Sequence, residues 1–141
     1  MAVAKQNAKK HKVKIKFIHG NLLQSIPNSK FKIPNSNIII TANLPYLTEK
    51  QYKNEPSIKH EPKSALVAKK DGLALYEELL NQIKSRGTTR DTDFISRLTI
   101  YLEIDPSQSK KIIVLIKKIL QNAKIEIKKD LAGKNRMIII D

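Results

Sequence analysis

Four consecutive residues, Asn43-Leu44-Pro45-Tyr46, have the types needed to hold a planar nitrogen for methylation. An amide or exocyclic amino nitrogen is a poor nucleophile because its lone pair is delocalised. A site helps by accepting a hydrogen bond from each N–H, which directs the lone pair toward an incoming methyl group. The side-chain oxygen of Asn43 can be one acceptor, and the backbone carbonyl of Leu44 the other. Pro45 keeps Leu44 out of the helical region and so holds that carbonyl in extended geometry. Tyr46 offers a flat face for stacking. An ordinary turn also fits, since Asn and Pro are common in turns, and the four residues alone favour it. Their place after Ile38–Ile40 narrows the gap, and the sequence downstream reverses it.

The segment before them, Asn37–Ala42, is a short apolar β-branched strand expected to be buried on both faces. Ligands of open parallel sheets bind beyond the carboxyl ends of the strands, where Asn43–Tyr46 falls. Upstream, Met1–Lys10 reads as the end of a helix. Val13–His19 alternates, with Val13, Ile15 and Phe17 on one side and Lys14, Lys16 and Ile18 on the other, and reads as a strand closed by Gly20. Asn21–Asn37, with Pro27 and Pro34, is a loop with room for one short turn. Downstream, Asn43–Lys70 holds Pro45, Pro56 and Pro62 and reads as a long irregular excursion of the kind that is often functional.

The remaining elements alternate. Leu73, Leu75, Tyr76, Leu79, Leu80 and Ile83 give Asp71–Arg86 a helical period, with Asp71 as a candidate cap. Gly87–Asp93 is a polar loop. Ser96–Ile104 is a strand with Leu98, Ile100, Leu102 and Ile104 on one face. Ser107–Asn122 is a second helix, with Ser107 as a candidate cap and Ile112–Ile116 in the core. Lys124–Lys129 and Asn135–Ile140 form an antiparallel hairpin around Asp130–Lys134 and its Gly133. The order predicts an α/β fold with a mostly parallel sheet and an antiparallel end.

The chain has 141 residues, a length that suits one domain or a large part of one. It has no cysteine, which excludes disulfides and Cys-ligated metals. His11, His19 and His60 lack metal-ligand spacing, so no metal is expected. No apolar run is long enough to span a bilayer, and a cytoplasmic location is expected. The 27 Lys+Arg against 13 Asp+Glu leave a net charge of +14. That balance suits nucleic acid, ribosomes or an acidic partner. It also suits a lysine-rich composition with no binding role.

Asn43-Leu44-Pro45-Tyr46 resembles the Asn-Pro-Pro-Tyr substrate motif that follows the fourth strand of the HemK/PrmC-type protein-(glutamine-N5) methyltransferases, matching at three of four positions. Further segments resemble that family in order: Glu61-Pro62 with Ala65-Leu66, Asp71-Gly72-Leu73, Leu102-Glu103-Ile104 with Gln108, and Lys129-Asp130-Leu131-Ala132-Gly133 with Arg136. Leu44 stands where the family has a proline, which keeps the carbonyl and loses rigidity. Asn-Leu-Pro-Tyr also resembles the motif of rRNA adenine dimethyltransferases, although the other segments favour the first family.

The resemblance implies an incomplete Rossmann-like fold dependent on S-adenosylmethionine (SAM), with strands 3 to 7 present and strands 1 and 2 missing. Residues 1–141 would be the substrate-binding half of a class I methyltransferase domain, with the SAM-binding half absent. It implies methylation of a glutamine amide in the Gly-Gly-Gln loop of a peptide-chain release factor, by Asn43, Leu44, Pro45 and Tyr46. The family binds SAM through a Gly-rich turn, and this chain has no Gly-x-Gly. Asn21 falls where the family has an acidic cofactor contact, and joins Asn43 as a candidate cofactor-binding residue. The family's strand order, 3-2-1-4-5-7-6, would leave Val13–His19 without a neighbour and open the edge of Asn37–Ala42. That implies a fragment, either a split gene product or a truncated reading frame, which a separate N-terminal polypeptide would complete as partner. The alternatives are an RNA or DNA adenine-N6 methyltransferase and a non-catalytic basic protein that binds the ribosome or release factor. Methyl transfer from a sulfonium needs little acid/base help, so Glu61, Asp71 and Glu103 are expected to be structural. Glu103 is expected to brace the substrate loop and Asp130 to pair with Arg136.

Overall fold

In the computed structural model, residues 1–28, 36–87, 94 and 96–141 are described. A hydrophobic period of two on Leu98–Glu103 (β2) builds the centre of the sheet. Leu98, Ile100 and Leu102 are buried and alternate with half-buried Thr99, Tyr101 and Glu103. Ile38–Ala42 (β1) pairs with β2 in parallel, with Ile40 opposite Ile100. Asn135–Ile140 (β4) pairs with its other edge in antiparallel register, placing Ile138 opposite Leu102 and Ile140 opposite Ile100. Ile125–Lys129 (β3) closes the hairpin, and the order is β1-β2-β4-β3. The expected hairpin is therefore present. The sheet is mixed, with one parallel pair among the described strands.

Among the described residues there are four α-helices: Ala2–Lys10 (α1), Glu49–Asn54 (α2), Ala74–Gly87 (α3) and Ser109–Ile119 (α4). Tyr76, Leu79, Leu80 and Ile83 of α3 recur at helical spacing, as do Ile112, Ile116 and Ile119 of α4. They join Leu98, Ile100, Leu102, Ile104, Ile138 and Ile140 in one core. Fully burying a Leu or Ile side chain contributes about 1.5–3 kcal/mol, so this face holds the fold together.

The opposite sheet face is less covered. Ile39 is 65% exposed, and Tyr101, Met137 and Ile139 are half-buried. The expectation that β1 is buried on both faces is therefore wrong: its burial alternates, and only the side facing the helices is covered. Residues 13–19 also form no strand. They run without a ladder partner, and Val13, Ile15 and Ile18 are exposed. Alternation marks a segment suited to pairing, but a strand requires a neighbour to satisfy its N–H and C=O groups.

Helix starts depart from the sequence expectation as well. Asp71 does not cap α3, which begins three residues later. Lys70, Asp71 and Gly72 lie at φ +54, +55 and +82, a left-handed turn that precedes the helix. Ser107 does not cap α4. Asp105 accepts from the Ser107 N–H at 2.8 Å and starts a 3-10 turn, Pro106–Gln108, that runs into the helix. Within the excursion after β1, Thr48 and Gln51 form a capping box that starts α2. Residues 21–26 fold into the short turn expected there and dock on α3. The Leu23 N–H donates to Gln82 Oε1 at 2.8 Å, and Arg86 donates to the Leu23 carbonyl at 2.6 Å. Most of the polar loop expected at 87–93 lies outside the described residues.

Candidate functional site

Beyond the end of β1 the chain leaves the sheet at Asn43 and enters a cleft of about 700 Å³. Asn43, Leu44, Pro45 and Tyr46 all line it, so the structure brings these predicted site residues together. Asn43 is exposed, and the next three are half-buried. Neither the Asn43 side chain nor the Leu44 carbonyl makes a hydrogen bond among the described residues. Acceptors on two consecutive residues that line a cleft suit a ligand with two N–H groups.

The loop is tied down just past these acceptors. The Leu47 N–H donates to the Leu66 carbonyl at 2.8 Å, and the Ala68 N–H donates to the Leu47 carbonyl at 3.0 Å. Tyr46 is held at both ends. Its phenol donates to Glu103 Oε1 at 3.3 Å, and its carbonyl accepts from Gln108 Nε2 at 2.8 Å. Burial raises the Tyr46 phenol pKa above its ordinary value, and the neighbouring Glu103 carboxylate adds to the effect. Tyr46 is therefore neutral at physiological pH, and Glu103 braces the loop as its position suggested. Tyr76, on the buried face of α3, donates to the Glu103 carbonyl and fixes the end of β2.

Gly72 makes this closeness possible. A Cβ at Gly72 would lie 1.9 Å from the Tyr46 carbonyl oxygen and 2.3 Å from Gln108 Nε2. The positive φ also favours glycine. Asp71 pairs with Lys111 at 2.8 Å, which lowers its carboxyl pKa, and both side chains are exposed. In the hairpin, Asp130 accepts from the N–H groups of Ala132 and Lys134 at 3.0 Å and from Arg136 Nε at 3.2 Å. The expected Asp130–Arg136 pair is present, and Arg136 also reaches the Ile104 carbonyl.

Several lining residues had no place in the sequence reading of the site: Lys50, Gln51, Asn54, Glu55 and Ile58. Thr48-x-x-Gln51 is the signal that could have located them, since a capping box announces the helix that carries Gln51 and Asn54. Glu61 also lines the cleft and is exposed. Asn21 is not part of the cleft. It is exposed, and its amide N–H₂ donates to Glu78 Oε1 at 2.6 Å. Among the described residues no three His, Asp or Glu side chains cluster as metal ligands, and no helix is long and apolar enough to cross a membrane.

Among the described residues no glycine-rich cradle for a nucleoside cofactor is formed. The space a Cβ would take at Gly20 is filled by Ser25, and at Gly72 by Tyr46, while Gly133 sits at the hairpin tip. The residues present do not by themselves fit SAM.

No family model matches the chain. Curated relatives do. It is 33% identical over 147 aligned positions to the release factor glutamine methyltransferase of Enterococcus faecalis, covering 100% of this chain and 47% of that protein. With the release factor glutamine methyltransferase of Bacillus cereus it shares 30% identity over 99% of this chain and 46% of the relative. With that of Bacillus subtilis it shares 31% over 98% and 45%. The chain thus spans about half the length of the curated relatives it matches.

Proposed function

We propose that this chain, related along its whole length to about half of a release factor glutamine methyltransferase, is the substrate-orienting part of a protein-(glutamine-N5) methyl-transfer site. The acceptors of Asn43 and Leu44, which line the cleft and make no hydrogen bond among the described residues, carry the reading. A glutamine side-chain amide presents two N–H groups in one plane, which two acceptors can receive together. Tyr46, neutral and tied at both ends, supplies the wall on which that plane stacks. Asn43 and Leu44 hold the amide, Pro45 stiffens Leu44, and Tyr46 and Leu47 help keep water from its far side.

The sheet order supports the fold assignment. The order β1-β2-β4-β3 is compatible with the 4-5-7-6 end of the family's 3-2-1-4-5-7-6 order. In chain order, residues 13–19 fall where the family has its third strand, so an incomplete Rossmann-like class I domain over residues 1–141 fits. SAM supplies the methyl group in this family. Its site is built chiefly by the half that this chain does not cover, with Asn43 at its boundary and Asn21 as a remote contact. The partners in this proposal are a polypeptide carrying that half and a release factor presenting its glutamine, in the cytoplasm.

The cleft itself argues against a polyanionic substrate. Although the protein carries +14, the cleft is lined by Lys50 against Glu55 and Glu61. Nucleic-acid affinity rests on cations placed against phosphates, and this lining does not provide them.

The test combines the chain with the cofactor-binding half of the Enterococcus faecalis relative. Methyl transfer is then measured to a release factor and to an adenine-containing RNA. Labelling of the glutamine alone supports the proposal. Labelling of RNA would shift it to an adenine-N6 enzyme. No labelling in a complex shown to bind SAM would leave the non-catalytic binding role.

A further inference from the structure

We infer that Gln108 is the positioning residue of the accepting site, its side-chain amide holding Tyr46 and so the Asn43–Tyr46 loop in working geometry. The inference rests on the proposed role of that loop, and it identifies what keeps the loop in place.

Gln108 is only 4% exposed, and all the polar atoms of its side chain are used. Nε2 donates to the Tyr46 carbonyl and to the Asp71 carbonyl, each at 2.8 Å. Oε1 accepts from the Asp105 N–H at 3.3 Å. One primary amide thus joins three segments: the cleft loop, the left-handed turn before α3, and the exit of β2. Gly72 sits among these contacts, where a Cβ would collide with both Nε2 and the Tyr46 carbonyl.

The two ends of this amide do different work. Its oxygen completes the capping box that starts the 3-10 turn, which is a local structural role. Its nitrogen is not needed by that turn, and both N–H groups go to distant loops. Removing them leaves the Tyr46 and Asp71 carbonyls without this donor, in a place where half-buried polar groups need partners. Among the described residues Tyr46 then keeps only its phenol tie to Glu103. A displacement on the order of 1 Å in a positioning element costs about 100-fold in rate, and Asn43 and Leu44 lie within three residues of Tyr46.

Two variants separate the roles. Gln108→Glu keeps an acceptor for the Asp105 N–H but, when ionised, offers no donor to Tyr46 or Asp71. Gln108→Leu removes both functions without adding charge. On the chain itself, NMR of ring-labelled tyrosine follows Tyr46, with Tyr46→Phe giving the assignment. The Tyr46 ring should gain mobility in both variants, and in Gln108→Leu its ionisation should move down toward the ordinary tyrosine range. In the two-part enzyme, kcat for the accepting amide should fall between 10-fold and 100-fold while KM for SAM changes less than twofold. A purely structural role predicts lower melting temperatures with kcat and Tyr46 unchanged in the folded protein, and that result overturns the inference. If Gln108→Leu does not fold, ring mobility and kcat in Gln108→Glu decide the matter. If the two-part enzyme transfers no methyl group, the proposed function fails, and the Tyr46 ring still reports on the clamp.

Discussion

Asn43 and Leu44 differ in what substitution can remove. The Asn43 acceptor lies in its side chain, so Asn43→Ala takes it away, whereas the Leu44 acceptor is backbone and survives most substitutions. In the two-part enzyme Asn43→Ala should lower kcat by about 100- to 1,000-fold, the scale seen when one polar group aimed at a reacting centre is lost. SAM affinity, measured by calorimetry, should stay nearly unchanged. Substantial residual turnover would mean that Asn43 does not orient the amide. Pro45→Ala only frees the backbone of Leu44 and should cost about tenfold or less. These residue types and their order were legible in the sequence, because the chemistry asks for an acceptor, a stiffened carbonyl and a flat face in a row. The tie from Tyr46 to Gln108 was not legible, since it joins positions 62 residues apart.

At the scale of elements, turns and caps decide where the site loop sits. The left-handed turn at Lys70–Gly72 lets Tyr46 and Gln108 meet, and Gly72 is its least replaceable residue. Gly72→Ala combines an unfavourable φ with a collision against backbone, and should destabilise the chain by about 2 kcal/mol or more in urea unfolding. Asp105→Ala removes the cap of the turn into α4 and should cost about 1 kcal/mol by the same measurement. The hairpin gives a pH dependence. Hydrogen bonding from the Lys134 backbone, with Arg136 contributing, holds the Asp130 carboxyl below its usual range. A group whose folded pKa is depressed stabilises above its unfolded value, and that stabilisation is lost as pH falls through the folded one. The amide signals of Ala132 and Lys134 should therefore hold their native positions at neutral pH and shift only in acid, below about pH 4, the unfolded carboxyl value. In Asp130→Asn that acid step should vanish. The expected caps at Asp71 and Ser107 were misplaced for one reason: several residues near each helix start can cap, and the choice depends on the path by which the chain arrives. Asp105 sits where β2 delivers the turn, and Asp71 faces Lys111 instead.

At the scale of the whole molecule, the described residues cover one side of the sheet more fully than the other. Helices α3 and α4 bury Leu98, Ile100 and Leu102, while Ile39 on the other face is 65% exposed and the outer edge of β1 has no paired strand among the described residues. An open apolar edge invites pairing with another chain. Adding the half of a curated relative that this chain does not span should raise the melting temperature of this chain. Ile39→Lys should weaken that association while leaving the helix-covered core intact, as measured by sedimentation and circular dichroism. Equal association by Ile39→Lys would show that this face is not the joint.

The sequence by itself determined the existence, type and order of β1, β2, the hairpin and the two core helices, though not the helix starts, because period two and helical period are local consequences of side-chain direction along the backbone. It also determined that Asn43-Leu44-Pro45-Tyr46 stands at the end of β1. Only the tertiary structure decided that residues 13–19, despite their alternation, form no strand, and that β1 is covered on one face. Both depend on neighbours, and a strand exists only where another strand completes its hydrogen bonds. The same holds for the site. The types Asn, Leu, Pro and Tyr are written in a row, but their fixed arrangement comes from Gln108, Gly72, Glu103 and Leu66, which the chain brings together only when folded.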